Sequence, residues 1–352
     1  MVIYLIVLAA ICLYGIRLKG KSGFEDYMSP QKTGSIKGIF VVLVLYSHIR
    51  QYIAYDPSPF NAPFQKFLWE LGQLMVVAFL FYSGYGVTLG LKNKDGYAKT
   101  LPKSRILKVF IHFDIAVLLF WVTGIILGKN YPVKRVLLSL IGIDALGNSA
   151  WFIFDVIILY FITFIVFVIA KKHMVAGTVV LTLLSIGATV LIYLWKGEQN
   201  WWYDTIMCFP LGVWYALAKP HIDKALLNSP LKWAITTAIT LAAFLTLHHF
   251  ADGRYRIIFI FESLVFALLI SFISMRVSIN NGILRWFGKR VFGIYILQRI
   301  PMMILYQYGA QENPFLFAAV SFAATIVMAE IFERATDKLD NALGLNKKRK
   351  TK

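Results

Sequence analysis

Apolar residues run along this chain in blocks of about twenty, separated by short basic loops, with little of the period-two alternation that marks half-buried strands. A helix needs about twenty predominantly apolar residues to cross a hydrocarbon core. Eleven blocks reach or approach that length: 1–17, 36–55, 67–91, 106–127, 150–170, 174–195, 203–219, 231–250, 256–276, 286–308 and 314–333. The first follows Met1 directly and lacks both a basic n-region and a small-residue cleavage pattern, so it predicts a retained helix rather than a removed signal peptide. The pattern therefore predicts an all-α fold, a polytopic transmembrane bundle of about eleven helices. No internal repeat interrupts it, and no loop is long enough for a separate soluble domain.

Composition agrees with that reading. Of 352 residues, 59% are hydrophobic and 15% charged, whereas soluble domains carry about 25% charged residues. The net charge of +18 raises the question of a nucleic-acid partner. Its distribution answers it. With the loop after the first block placed in the cytoplasm and the sides alternating, 27 of the 36 Lys and Arg fall on the cytoplasmic side and 8 outside, with Arg299 inside a span. That asymmetry follows the positive-inside rule, and predicts a plasma-membrane protein with the N-terminus outside and the C-terminus in the cytoplasm. The basic excess is topological, no nucleic-acid partner is expected, and the tail Asn346–Lys352 is suited to anionic lipid. Cys12 and Cys208 both lie in apolar runs, so neither a disulfide framework nor a metal site is expected. No Walker motif or dinucleotide fingerprint is present.

Candidate chemistry centres on Ser35–His48. Lys37 and His48 stand eleven residues apart in an apolar helix, about 16 Å along one face. Ionisable groups inside such a span are costly and mark functional sites, although a lysine anchor and a structural histidine are the plainer explanation. The next span ends in Phe79-Leu-Phe-Tyr-Ser-Gly-Tyr-Gly86, whose small residues permit close helix approach. The following loop, the most basic, finishes as Leu101-Pro-Lys-Ser-Arg-Ile-Leu-Lys108. At helical spacing Arg105 and Lys108 share a face there, either as a solvated charge run or as a cluster that accepts phosphates. Among the intramembrane acids Glu70, Asp114, Asp155, Glu262 and Glu330, Asp155 and Glu262 fall at the depth of His48, where a carboxylate can orient an imidazole. Arg299 is an alternative partner for either acid. His248 and His249 fall at the outer surface, within reach of an acceptor, and Trp151, Trp201 and Trp202 at the outer boundary fit an aromatic belt.

Together these residues resemble the acyltransferase-3 family of integral membrane acyltransferases. The family's basic residue, ten intervening residues and histidine correspond to Lys37 and His48, with lysine where arginine is common. Its Phe-Phe-x-x-Ser-Gly-Tyr-like run is similar to Phe81–Tyr85, and its Arg-x-x-Arg-like pair to Arg105 and Lys108. The stretch Asn148–Tyr160 resembles the family's Trp-centred helix entrance; a glutamate commonly five residues after that tryptophan is replaced by Asp155, four after Trp151. Finally Phe287–Gln298 resembles a Gly-Ile-Tyr-Leu-Leu-His helix, with Gln298 at the histidine. The resemblance divides the chain into an extra leading helix and loop (1–34), an acyltransferase-3-like membrane domain (35–335) and a basic cytoplasmic tail (336–352).

The resemblance implies an O-acyltransferase with acetyl-CoA or another short acyl-CoA as cytoplasmic donor, no permanently bound cofactor, and a hydroxyl of an extracytoplasmic polysaccharide or glycolipid as acceptor. It implies Lys37, Arg105 and Lys108 as donor-binding residues and His48 as general base or transient acyl carrier, with Asp155 or Glu262 orienting it. No esterase-like extracytoplasmic domain is appended, so a separate extracytoplasmic transferase is a candidate partner. A transporter or flippase of glycan intermediates would also need charge within the membrane, but its discontinuous helices would recur in two matching halves, and no such pairing is visible. An unrelated histidine-dependent O-acyltransferase would carry its key histidine late in the chain.

Overall fold

The computed structural model describes residues 1–251 and 256–345; Arg254 and the tail 346–352 lie outside them. The chain opens with the short α1 (Val2–Leu13) and, after strand β1 (Ile16–Leu18), the long α2 (Pro30–Arg50). There follow α3 (Ala62–Leu71), α4 (Leu74–Asn93), α5 (Tyr97–Leu101), a π-helical turn (Pro102–Leu107), α6 (Lys108–Ile126), α7 (Val133–Leu140), α8 (Ala150–Ala170) and α9 (Met174–Lys196). The second half comprises α10 (Cys208–Leu226), α11 (Pro230–Phe250), α12 (Arg256–Ser274), strand β2 (Val277–Ile279), α13 (Gly282–Lys289), α14 (Val291–Leu297), α15 (Arg299–Gln307) and α16 (Pro314–Ala342). The fold is an all-α bundle. Among the described residues a single small sheet pairs β1 with β2 antiparallel, Ile16 opposite Ile279.

Among the described residues, seven helical stretches are long and apolar enough to cross a membrane: 62–93, 97–126, 150–170, 174–196, 230–250, 257–274 and 314–342. The predicted spans 36–55 and 203–219 become α2 and α10, which carry charged residues but lie at the centre of the bundle. Much of α2 is buried, whereas α11 buries no residue and rides on the outside. Three expectations change. The block 1–17 forms a helix of only 12 residues, about 18 Å, because its end is drawn into the β1–β2 pair. The block 286–308 is not one helix but three, interrupted at Arg290 and Gln298. The loop before α8 contains an extra short helix, α7.

The two ends of the bundle are fixed by hydrogen bonds between distant segments. At one end, the Met1 amino group donates to the carbonyl of Phe60 (2.9 Å) and the Tyr4 hydroxyl to that of Phe315 (2.8 Å). This is the end at which α2 finishes, and it holds His48. At the other, Asn281 Nδ2 donates to the carbonyls of Ile11 and Tyr14, and Ser35 Oγ to Asn280 Oδ1. This is the end at which α2 begins, and it holds Lys37.

Two helix crossings bring backbones into direct contact. A Cβ on Gly38 would stand 2.0 Å from the carbonyl oxygen of Leu284, and one on Gly288 1.8 Å from that of Gly34, so α2 and α13 touch through glycine. At the second crossing a Cβ on Gly84 would lie 2.1 Å from the Phe209 oxygen and one on Gly212 2.0 Å from that of Phe81, joining α4 to α10. Small residues at such positions let helices approach closely where lipid supplies no hydrophobic drive. Because the blocking atoms are backbone, a side chain at either place must push the helices apart. Gly38→Val is therefore expected to destabilise the protein by at least the ~1–3 kcal/mol typical of overpacking, read as a lowered melting midpoint of the detergent-purified protein; an unchanged midpoint would show that the crossing tolerates separation.

Candidate active site

A cavity of about 590 Å³ opens at the Lys37 end. Its walls come from α2 (Pro30, Thr33, Lys37), α4 (Phe79 to Leu89), the π-turn (Arg105), α8 (Phe152 to Tyr160) and the broken helix (Lys289 to Tyr295). The lining residues of α4 span ten positions, so the cavity reaches about 15 Å into the bundle. Three cations ring its outer part. Arg105 and Lys289 are exposed and Lys37 is half-buried, and Arg105 lies near enough to Lys37 to act on it as a like charge. Among the described residues no carboxylate pairs with any of the three. Like charges left uncompensated at a cavity mouth oppose folding unless an anion occupies the space between them.

Local chemistry fixes these groups. Arg105 has its guanidinium 5.9 Å from the ring of Tyr160, and the Tyr160 hydroxyl shares a 2.6 Å hydrogen bond with Ser83. Ser83 thus ties α4 to α8, while the adjacent Gly84 closes α4 on α10 and Gly86 leaves open space in the cavity wall. Lys32, one turn before Lys37, is committed elsewhere. Its ammonium donates to Asp26 at 2.6 Å, and that bond holds the Asp26 carboxyl below the usual carboxylate range.

The deep end of the cavity is aromatic. Phe152 packs against Phe79 (6.1 Å between ring centres) and against Tyr295 (5.2 Å), and Tyr295 in turn lies 6.5 Å from the imidazole of His48. His48 does not line the cavity; Tyr295 belongs to both places. The imidazole is flanked by Gln298 and Arg299, at the second break of the helix. Gln298 is fully buried and donates to the carbonyl of Tyr295 (2.9 Å), while His48 Nδ1 has no hydrogen-bond partner. The break matters here because it turns Gln298 and Arg299 toward α2 instead of continuing along the helix.

The expected site residues do not all converge. Asp155 is fully buried with neither carboxylate oxygen hydrogen-bonded, and it neighbours Tyr295 rather than His48. Glu262 is not at His48. It accepts a 2.7 Å hydrogen bond at His248 Nδ1, in a separate pocket. Lys108 does not line the cavity. Its ammonium forms an ion pair with Asp340 (2.5 Å), and the same buried carboxylate meets His112 Nε2 at 3.0 Å, clasping α6 to the end of α16. The expectation that Arg105 and Lys108 share a face assumes an α-helix. In the π-turn each backbone bond spans five residues rather than four, which widens the turn and sends the two side chains to different faces.

Three residues with no assigned role stand at the site: Lys289, Tyr295 and Gln298. Tyr295 and Gln298 lie within the Phe287–Gln298 motif, and Lys289 directly follows the crossing residue Gly288, so the motif was the available signal. The profile of an acyltransferase domain matches residues 35–333, which takes in every lining residue of the cavity except Met28 and Pro30 and Thr33 at its rim. The chain belongs to the acyltransferase-3 family. No curated protein and no solved structure matches it. This acyltransferase is thus an integral, multi-pass membrane protein whose family domain begins at the α2–α13 crossing and ends within α16.

The Asp340 clasp allows a direct test. Asp340→Ala leaves Lys108 and His112 without their shared acceptor, and removal of one member of a buried ion pair costs about 3–5 kcal/mol. The expected result is a clear fall in melting midpoint of the purified acyltransferase. No fall would mean that the end of α16 is held by other contacts.

Proposed function

We propose that this acyltransferase moves an acetyl or other short acyl group from cytoplasmic acyl-CoA to a hydroxyl of an extracytoplasmic polysaccharide or glycolipid, with the Lys37 end of the bundle in the cytoplasm and the His48 end outside. The observation that carries the reading is one cavity with uncompensated cations at its mouth and His48 just beyond its aromatic floor. A CoA thioester is a polyanion at one end and a narrow, uncharged acyl arm at the other. Lys37, Arg105 and Lys289 suit the phosphates through charge-assisted hydrogen bonds, and the apolar sleeve between them and Tyr295 suits the arm.

The chemistry proposed for the floor is acyl transfer. A sugar hydroxyl is a poor nucleophile near neutral pH, and a positioned imidazole raises its reactivity by taking its proton. The hydroxyl oxygen attacks the thioester carbonyl, a C–O bond forms, the C–S bond breaks, and the proton passes from His48 to the departing thiolate. Arg299 beside His48 is the available cation for the oxyanion that develops in between. In the variant route His48 itself accepts the acyl group and passes it on. A mass increment of one acyl group on the His48 peptide after brief exposure to donor would assign that route. In either case the acyl end must pass Tyr295, which makes this ring the gate between donor and acceptor compartments.

Two outcomes test the proposal. In cells producing His48→Ala at the normal protein level, ester groups released from surface glycans and measured by mass spectrometry are expected to disappear, whereas Lys37→Ala or Arg105→Ala is expected to weaken the thermal-shift response of purified protein to acetyl-CoA by about tenfold in concentration, equal to one charge-assisted contact of about 1.4 kcal/mol. Full ester content in His48→Ala, or an unaltered acetyl-CoA response in both cation variants, would overturn the assignment. Tyr295→Trp, which enlarges the gate residue, is expected to abolish ester formation while leaving the acetyl-CoA response intact; loss of both would place Tyr295 in donor binding instead.

A further inference from the structure

At the His48 end a second polar pocket, of about 700 Å³, lies between α3, α11 and α12, lined by Trp69, Glu70, Gly72, His248, Phe259 and Glu262 among others. The buried carboxylate of Glu262 is its fixed point. Oε1 holds His248 Nδ1 at 2.7 Å, and the side chain is only 1% exposed. The ring's other nitrogen, Nε2, lies on the side of Glu70. Phe244 stacks on the imidazole at 5.6 Å and fixes its plane. Glu70, on α3, brings its carboxylate to 3.5 Å from Nε2 with half of its side chain exposed. Glu262 Oε2 is buried and has no hydrogen-bond partner.

Among the described residues the pocket is lined by two carboxylates, Glu70 half-exposed and Glu262 buried, with the His248 imidazole between them. Two carboxylates disfavour an anion and suit a ligand that brings hydrogen-bond donors. Beside them Trp69 is 69% exposed, with the Arg50 guanidinium 5.2 Å from its ring. An exposed indole presents a flat apolar face that suits the C–H face of a sugar ring, whose hydroxyls are also donors that suit the carboxylates. Arg50 stands two residues beyond His48 on α2, which places the indole at the same end of the bundle as His48.

We infer that the pocket between Trp69, Glu70, His248 and Glu262 is a carbohydrate-binding site that holds the acceptor polyol at the His48 end of the bundle. It rests on the acyl transfer proposed above, and supplies what that reaction requires: a place for the acceptor, separate from the cavity proposed for the donor. The indole stacks on one sugar ring, the half-exposed Glu70 accepts from its hydroxyls, and the buried Glu262 holds the His248 ring in the pocket wall.

The experiment uses the full-length protein in cells, with surface-glycan ester content as one readout and the acetyl-CoA thermal shift of each purified variant as the other. Trp69→Ala, Glu70→Gln and His248→Gln are each expected to lower ester content by about tenfold, the effect of losing about 1.4 kcal/mol of acceptor binding, without altering the acetyl-CoA response. Trp69→Phe, which keeps an aromatic face, is expected to restore most of the ester, so a general loss of folding is recognised by its failure to do so and by a lost acetyl-CoA response. Glu70 is exposed, and Glu70→Gln remains informative where a buried substitution prevents accumulation. Normal ester content in all three variants, with ester absent in His48→Ala, overturns the acceptor site alone. Normal ester content in His48→Ala as well overturns the transfer reaction and this site with it. Loss in Glu70→Gln and His248→Gln but not in Trp69→Ala overturns the sugar assignment in favour of a small cation.

Discussion

The structure depends on the closeness of α2 to α13. Backbone meets backbone at Gly38 and Gly288, and no side chain keeps the two helices apart. That contact aligns the beginning of α2 with α13, so that Lys37 and Lys289 reach the same cavity, and it sets the depth at which the broken helix passes His48. The α4–α10 crossing does the corresponding work on the opposite wall, where it leaves Ser83 to meet Tyr160 and Gly86 to widen the cavity. Without hydrophobic drive between helices in lipid, such contacts rest on packing and on the hydrogen bonds they permit. The residues of greatest chemical interest are thus positioned largely by residues with no side chain.

Much of this was legible in the sequence, for a physical reason. A bilayer forces spanning segments to satisfy their own backbone hydrogen bonds, so apolar length translates directly into helices. The blocks at 150–170, 174–195 and 231–250 reappear almost unchanged as α8, α9 and α11. The pairing of Lys37 with His48 on one helix was also legible, since both belong to one uninterrupted stretch. What length and periodicity do not encode is interruption and partnership. Apolarity across 286–308 is continuous, yet the chain breaks at Arg290 and Gln298, because packing against α2 and α16 decides the local path. Glu262 has the depth expected of a partner for His48, but depth is one coordinate of three, and its angular position gives it to His248. Tyr295 was equally hidden, since its place as the floor of one compartment and the neighbour of another exists only once α14 is docked.

The two compartments have opposite electrostatic character. Among the described residues, the cavity at Lys37 collects cations and no carboxylate, and the pocket around Glu262 collects carboxylates around an imidazole. Each rejects the ligand proposed for the other. A phosphate-bearing donor is repelled from the second pocket, and a neutral polyol gains little at the cationic mouth. Such mutual exclusion supplies specificity by repulsion as well as by attraction.

The π-turn at Pro102–Leu107 carries a consequence for how this part of the molecule can change over time. Arg105 and Lys108 look like two copies of one basic signal three residues apart, but they have separate employers: one faces a ligand cavity, the other a buried aspartate on the last helix. Neither can stand in for the other. An inserted or deleted residue that relaxed the turn to an ordinary helix would rotate everything before it relative to α6, and a single event would then misdirect Arg105 or strip Asp340 of its lysine. The irregular turn thus ties two separate contacts to one chain length, so an insertion or deletion there would disturb both.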